Sequence, residues 1–289
     1  MKTQLFFLAL LGGTFVSNSK EFHVQAHRGA SGQLLENTTA AVLEAAKLGA
    51  DSIEIDVHLT RDGDLVVFHD FVLTKGCCYK EDPGKPNQKD LLILDQSTKE
   101  VTSYNVLPSF SKRMNDPYPG AKEKKYPLPT LQSMIDELDK LEKTLGRKVV
   151  MDIEIKSNVE HPKESASPKE LAMKINDFLL KNKKVSQYLV RSFDLRVLKE
   201  IQKMNPKVRI AVLSDDDVAD YVKHAEGIHA EILAPNAKVL SQKNIARAHA
   251  KGFKVIPWTV NDPALINKLR KLGVDGVTTD HPKRVMNLR

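Results

Sequence analysis

Cysteine and tryptophan are nearly absent: the 289 residues include two cysteines, adjacent at Cys77 and Cys78, and one tryptophan, Trp258. Two cysteines are too few for a disulfide scaffold, so stability must come from a buried apolar core. A chain of this length buries about three quarters of its unfolded surface and needs no staples. Neighbouring Cα atoms stand about 3.8 Å apart across a trans peptide, below the usual disulfide range, which favours two thiols over a vicinal bridge. After residue 16 no stretch approaches about 18 consecutive apolar residues, so no membrane-spanning helix is expected in the mature chain. Lys122–Lys125 and Lys181–Lys184 are basic runs without interleaved aromatics, which reads as solvated surface and gives no nucleic-acid face. The formal charge of +7 favours anionic partners without naming them.

The N-terminus has the pattern of a signal peptide over residues 1–19. Lys2 supplies the positive start, Leu5 to Val16 a short apolar run, and Ser17 and Ser19 the small residues before a cut. The competing reading is a buried N-terminal helix. Export to the periplasm or the medium, with no stable membrane insertion, is therefore the expectation for the mature chain, residues 20–289.

Strand and helix patterns then alternate. Apolar, β-branched runs lie at Phe22–Ala26, Ser52–Leu59, Val149–Ile155, Leu189–Phe193, Val208–Leu213, Glu231–Pro235, Lys254–Val260 and Gly276–Thr279. Helical patterns follow at Thr38–Leu48, from Leu131 through Leu141, and at Pro168–Lys183, Leu195–Met204, Asp216–Ala225, Ser241–Lys251 and Pro263–Leu272. Eight strands, most of them followed by a helix, predict a (β/α)8 TIM barrel. The turn after the first strand, His27 to Gly32, lacks the G-x-G-x-x-G spacing of a doubly wound dinucleotide fold. A length prior of about 150 residues per domain would give two domains, but one barrel accommodates this chain. The interval 71–126 holds five prolines and no strong period, and predicts a small insertion after strand 2, over the barrel mouth.

Chemistry-bearing residues sit at predicted strand ends. Along Ser52–Leu59, Ile53, Ile55 and Val57 alternate with Glu54, Asp56 and His58; Asp152, Glu154 and Lys156 repeat the pattern. Carboxylates aimed into a barrel are costly unless paired or metal-bound. Glu54, Asp56 and Glu154 form a hard oxygen set suited to one divalent cation, Ca2+ or Mg2+, in preference to zinc. Structural ion pairing is the alternative for each. His27 and His69 flank this cluster as a general acid and base would, while His58 reads as a bystander that could already be in the loop. Arg28 and Lys156 suit a phosphate, or serve as counter-ions to the carboxylates. There is no G-x-S-x-G elbow, no cysteine nucleophile order and no H-x-H metal pair.

The ordered set His27-Arg28-Gly29, Glu36-Asn37-Thr38, Gly49-Ala50-Asp51, Glu54-x-Asp56, Thr60-x-Asp62-Gly63, His69-Asp70, Glu154-x-Lys156, Trp258-Thr259-Val260-Asn261 and Gly273 to Pro282 resembles the glycerophosphodiester phosphodiesterase family. The resemblance spans nearly the whole mature chain. It implies a barrel hydrolysing small-molecule glycerophosphodiesters to glycerol 3-phosphate and an alcohol. It also implies His27 and His69 as the acid/base pair, and one cation on Glu54, Asp56 and Glu154. Arg28 and Lys156 would lie on the phosphate, and Trp258 would wall the glycerol pocket. The chain departs from the family in Leu35, where proline is usual, and in the stretch after Asp70, which leaves substrate preference open. Two other readings share the fold: a phospholipase C- or D-type hydrolase of lysophospholipid or sphingolipid, favoured if Leu91-Leu92-Ile93-Leu94 forms an exposed apolar rim, and a non-catalytic glycerol-phosphate binding barrel.

Overall fold

A computed structural model describes residues 22–215 and 218–288, with backbone alone at 218–221. The signal-peptide reading of residues 1–19 lies outside the described residues. Eight strands form the centre: β1 (His23–Ala26), β2 (Ser52–Leu59), β3 (Val150–Ile155), β4 (Tyr188–Ser192), β5 (Arg209–Ser214), β6 (Ile232–Pro235), β7 (Lys254–Val255) and β8 (Gly276–Thr279). They are parallel, in the order β7-β6-β5-β4-β3-β2-β1-β8. The ring closes between its ends, where Asp275 N–H donates to Val255 O at 2.9 Å and Val260 N–H to Thr278 O at 2.8 Å. A helix follows each strand: α1 (Thr39–Lys47), α2 (Leu131–Leu145), α3 (Pro168–Asn182), α4 (Leu195–Met204), α5 (Val218–Glu226), α6 (Gln242–Ala250), α7 (Pro263–Leu272) and α8 (Pro282–Met286). This is the (β/α)8 barrel that the alternation predicts.

The two-residue period of the strands sorts the side chains. β2 and β3 are in register, pairing Ile53 with Met151, Glu54 with Asp152, Ile55 with Ile153 and Asp56 with Glu154. The apolar set packs outward with Leu131, Leu138, Leu171 and Ile175 of the helices in one continuous core. The polar set is left pointing inward. Thr38, Thr130, Ser167, Asp194, Ser241 and Asp262 each accept a backbone N–H at the start of a helix. Each such cap contributes about 1 kcal/mol.

Three local expectations are corrected. Helix α2 continues to Leu145, four residues past the predicted limit, and stops where Gly146 enters the left-handed region at φ 66°. Strand β7 is two residues long: Ile256 and Trp258 still donate to Leu233 O and Pro235 O of β6, but Pro257 has no N–H to give to β8 on the other side. Cys77 and Cys78 are joined as a vicinal disulfide, not free thiols, and both are buried.

The segment 71–126 carries two small antiparallel pairs, 72–73 with 91–92 and 78–79 with 105–106. Its own core of Leu73, Cys77, Cys78, Ile93, Val101, Tyr104, Val106 and Tyr126 is continuous with Leu35, Val66 and Phe68 of the barrel rim. The segment is thereby anchored to the loops that follow β1 and β2.

Candidate active site

At the end of β1 the chain turns sharply. Arg28 (φ 53°) and Gly29 (φ 84°) are both left-handed, a conformation costly for arginine. A Cβ on Gly29 would stand 2.5 Å from the Ala41 carbonyl carbon, so only glycine fits against α1. The turn aims the Arg28 N–H at Glu54 Oε2, 2.9 Å away. It also places the guanidinium between Glu36 (2.5 Å) and Asp56 (3.1 Å).

Glu54 and Asp56 within β2 and Glu154 near the end of β3 converge, each offering an oxygen within 4.8 Å of the others. Asp56 is the best supported: Asn37 Nδ2 donates to it at 2.7 Å, and Lys156 Nζ lies 3.4 Å away. Lys156 also donates to Glu154 at 2.8 Å. Burial is the largest influence on Asp56 and opposes ionisation, yet Arg28 and Lys156 outweigh it and hold the carboxyl far below its usual range. Glu54 goes the other way, raised well above the ordinary carboxylate value by burial and then by Asp56 and Glu154. Its Oε1 is buried without a hydrogen-bond partner. An all-oxygen set with surplus negative charge and an orphaned buried oxygen fits a hard divalent cation.

The histidines are mounted alike. His27 Nδ1 lies 2.7 Å from Asp280 Oδ1, and His69 Nδ1 lies 2.6 Å from Asp70 Oδ1. Asp280 and Asp70 are held ionised, so each accepts from Nδ1–H and leaves Nε2 for chemistry. Burial and then Arg28 hold His27 below its ordinary pKa. Asp280 in turn accepts from Ser31 Oγ at 3.0 Å and Asn261 Nδ2 at 2.6 Å. His58 is a strand residue, not a loop one. It is buried edge-on against Phe71, with Nε2 3.1 Å from the His69 carbonyl, and burial lowers its pKa to about 4. It therefore supports the backbone that carries His69.

A cavity of about 250 Å³ is lined by His27, Arg28, Glu54, His69, Glu154, Lys156 and Trp258. Asp56 sits behind them, joined to Arg28 and Lys156. The Trp258 indole donates to Ala234 O at 2.8 Å and meets Phe193 edge-on, forming an apolar wall. A second cavity, about 560 Å³, adjoins it and shares Arg28, His69 and Arg113. Arg28 and Lys156 are thus carboxylate counter-ions that also face open space.

The sequence reading did not assign Asp70, Asp280, Glu36, Asn37, Asn261 or Arg113. Asp280 lies 253 positions from its histidine. Its signals were its strand-end position after Gly276–Thr279 and its place in the motif Gly273 to Pro282, neither of which names its partner. Arg113, 3.6 Å from Asp280 and 3.5 Å from Glu36, comes from the aperiodic segment and had none.

The sequence pattern of the Glycerophosphoryl diester phosphodiesterase family matches residues 27–284. A glycerophosphodiester phosphodiesterase of Bacillus altitudinis is 30% identical over 267 residues, covering 91% of this chain and 96% of its own. One from Caldanaerobacter subterraneus is 28% identical over 269 residues, covering 92% and 96%. Among solved structures, the Thermotoga maritima glycerophosphodiester phosphodiesterase superposes with a TM-score of 0.64 at 25% identity, covering 93% of this chain and 98% of its own. An Oleispira antarctica phosphodiesterase, solved with its product sn-glycerol-3-phosphate, shares the fold with a TM-score of 0.72 at 22% identity, covering 92% and 95%. The chain belongs to the glycerophosphoryl diester phosphodiesterase family and is a phosphoric diester hydrolase.

Proposed function

We propose that this protein hydrolyses glycerophosphodiesters to glycerol 3-phosphate and an alcohol, with His27 and His69 as the acid/base pair. The observation that carries the reading is one cavity in which two Asp-backed histidines flank a carboxylate cluster and two cations. Arg28 and Lys156 orient the phosphate and offset charge that builds on its oxygens. One Nε2 removes the proton of the attacking hydroxyl as the other protonates the departing alcohol oxygen. The P–O bond to that alcohol breaks, and water supplies the hydroxyl gained by phosphorus and the proton gained by the alcohol. Glu54, Asp56 and Glu154 would hold one divalent cation, Ca2+ or Mg2+, whose chemistry there is neutralisation of the phosphate. Trp258 and Phe193 give the glycerol carbons an apolar wall.

Leu91 and Ile93 are buried in the core of the insertion and Leu92 and Leu94 are half-buried, so the four residues do not form the exposed apolar rim that would favour the lipid-cleaving alternative. Among the described residues no helix is long and apolar enough to cross a membrane. Export through residues 1–19 is part of the same proposal, and mass spectrometry of the secreted chain should find Lys20 at its N-terminus. The deciding assay is product analysis on glycerophosphodiesters with and without a chelator. Glycerol 3-phosphate should appear, vanish on chelation and return with Ca2+ or Mg2+. Release of a phosphorylated head group, or full turnover after exhaustive chelation, would overturn the reading.

A further inference from the structure

The two adjoining cavities divide a diester into its two arms. Arg28, His69 and Arg113 line both, so a phosphate bound there sends one alcohol inward toward Trp258 and the other outward into the 560 Å³ cavity. The outer cavity has one apolar face. Phe110 stacks on Phe68 with ring centroids 6.1 Å apart and planes 17° apart, and remains 36% exposed. The residues that follow Phe110 are polar or cationic: Ser111, Lys112 and Arg113.

The carboxylates of this cavity already have partners. Glu36 accepts from Arg28 and from Ser111 Oγ. Asp280 accepts from His27, Ser31 and Asn261, and Asp70 from His69. Lys112 is exposed and makes no ion pair among the described residues. A quaternary ammonium wants several aromatic faces and a carboxylate; here it would meet one ring face and an unpaired lysine. A polyol can lay its C–H face on Phe110 and turn its hydroxyls to Ser111, Lys112 and Asn115.

Resting on the phosphodiesterase reading, we infer that the outer cavity is the recognition site for the leaving alcohol and that it selects uncharged polyols, such as glycerol or a cyclitol, over quaternary amino alcohols. The insertion thereby sets head-group preference, and the barrel supplies the chemistry. The test is kcat/KM for sn-glycero-3-phosphoinositol and sn-glycero-3-phosphocholine, with the wild type, Lys112→Glu and Phe110→Ala. The wild type should favour the inositol diester by about tenfold, a difference of about 1.4 kcal/mol. Lys112→Glu, a change at an exposed side chain, should narrow that ratio by admitting the choline diester. Phe110→Ala should lower kcat/KM for the inositol diester more than for the choline diester. Equal or better use of the choline diester, or a ratio unmoved by both substitutions, overturns the inference and leaves the hydrolase reading standing. Hydrolysis of neither diester overturns the hydrolase reading and the inference with it.

Discussion

Two buried charged clusters lie inside the same barrel, offset by two residues along β3, where Asp152 belongs to one and Glu154 to the other, and they differ in charge balance. In the first, Arg191 pairs with Asp152, Gln25 donates to Asp152 at 2.6 Å, and the Gln25 oxygen accepts from Arg191 and Thr278, each at 2.7 Å. One carboxylate meets one guanidinium, and the amide bridges them. In the second, Glu54, Asp56 and Glu154 face Arg28 and Lys156, and Arg28 is shared with Glu36. The first cluster matches one negative charge with one positive; the second keeps surplus negative charge, and each leaves buried polar atoms without a hydrogen-bond partner, Asp152 Oδ1 and Arg191 Nε in the first and Glu54 Oε1 in the second. Burying charge is costly, so a cluster left unbalanced at a strand end marks a place where something else completes it.

Substitutions can break this contrast, beginning with the largest effect. His27→Ala and His69→Ala should each lower kcat by about 10²- to 10⁴-fold, the range for loss of a general acid or base. Steady-state kinetics with the fold checked by circular dichroism would show it, and near-normal turnover in either variant would remove that histidine from the mechanism. Asp152→Ala should cost about 3–5 kcal/mol in denaturant unfolding, because it strands a buried Arg191. A loss under about 1 kcal/mol would mean that Arg191 and Asp152 are not a structural pair.

Glu54→Gln should have the smallest effect on stability and the opposite sign. Glu54 is the carboxyl pushed toward its neutral form, so an amide mimics the folded state of the chelated protein. The melting temperature of the chelated variant should match or exceed that of the chelated wild type. Added Ca2+ or Mg2+ should raise the wild-type midpoint and leave the variant unmoved, since a ligand at 100 times its Kd adds about 2.7 kcal/mol. Equal metal-induced shifts in both proteins would break the comparison at its centre.

The fold was legible because a two-residue period and short capped helices are local properties. Glu54 and Asp56 stood out because they alternate with Ile53, Ile55 and Val57, and the strand geometry turns that alternation into one inward-facing set. The residues that tune the site were not legible for the converse reason. Asp280 reaches His27 because β8, the last strand, pairs with β1, the first, and Arg113 arrives on a segment with no period. The disulfide was misjudged because the expectation took the usual Cα spacing as decisive, whereas the two adjacent sulfurs are bonded at that 3.8 Å spacing.

Glu36 has one more implication. Its carboxylate holds Arg28 through one oxygen and accepts from Ser111, one residue past Phe110, through the other. Ser111, beside the Phe110 wall of the outer cavity, and the Arg28 guanidinium are therefore two ends of a single short relay. Residues 71–126 are tied in this way to the loop after β1: a transplanted segment lacking a donor at the position of Ser111 would remove one partner from the carboxylate that holds Arg28. If the outer cavity reads the alcohol as proposed, changing that preference without disturbing Arg28 requires Glu36 and position 111 to be changed together.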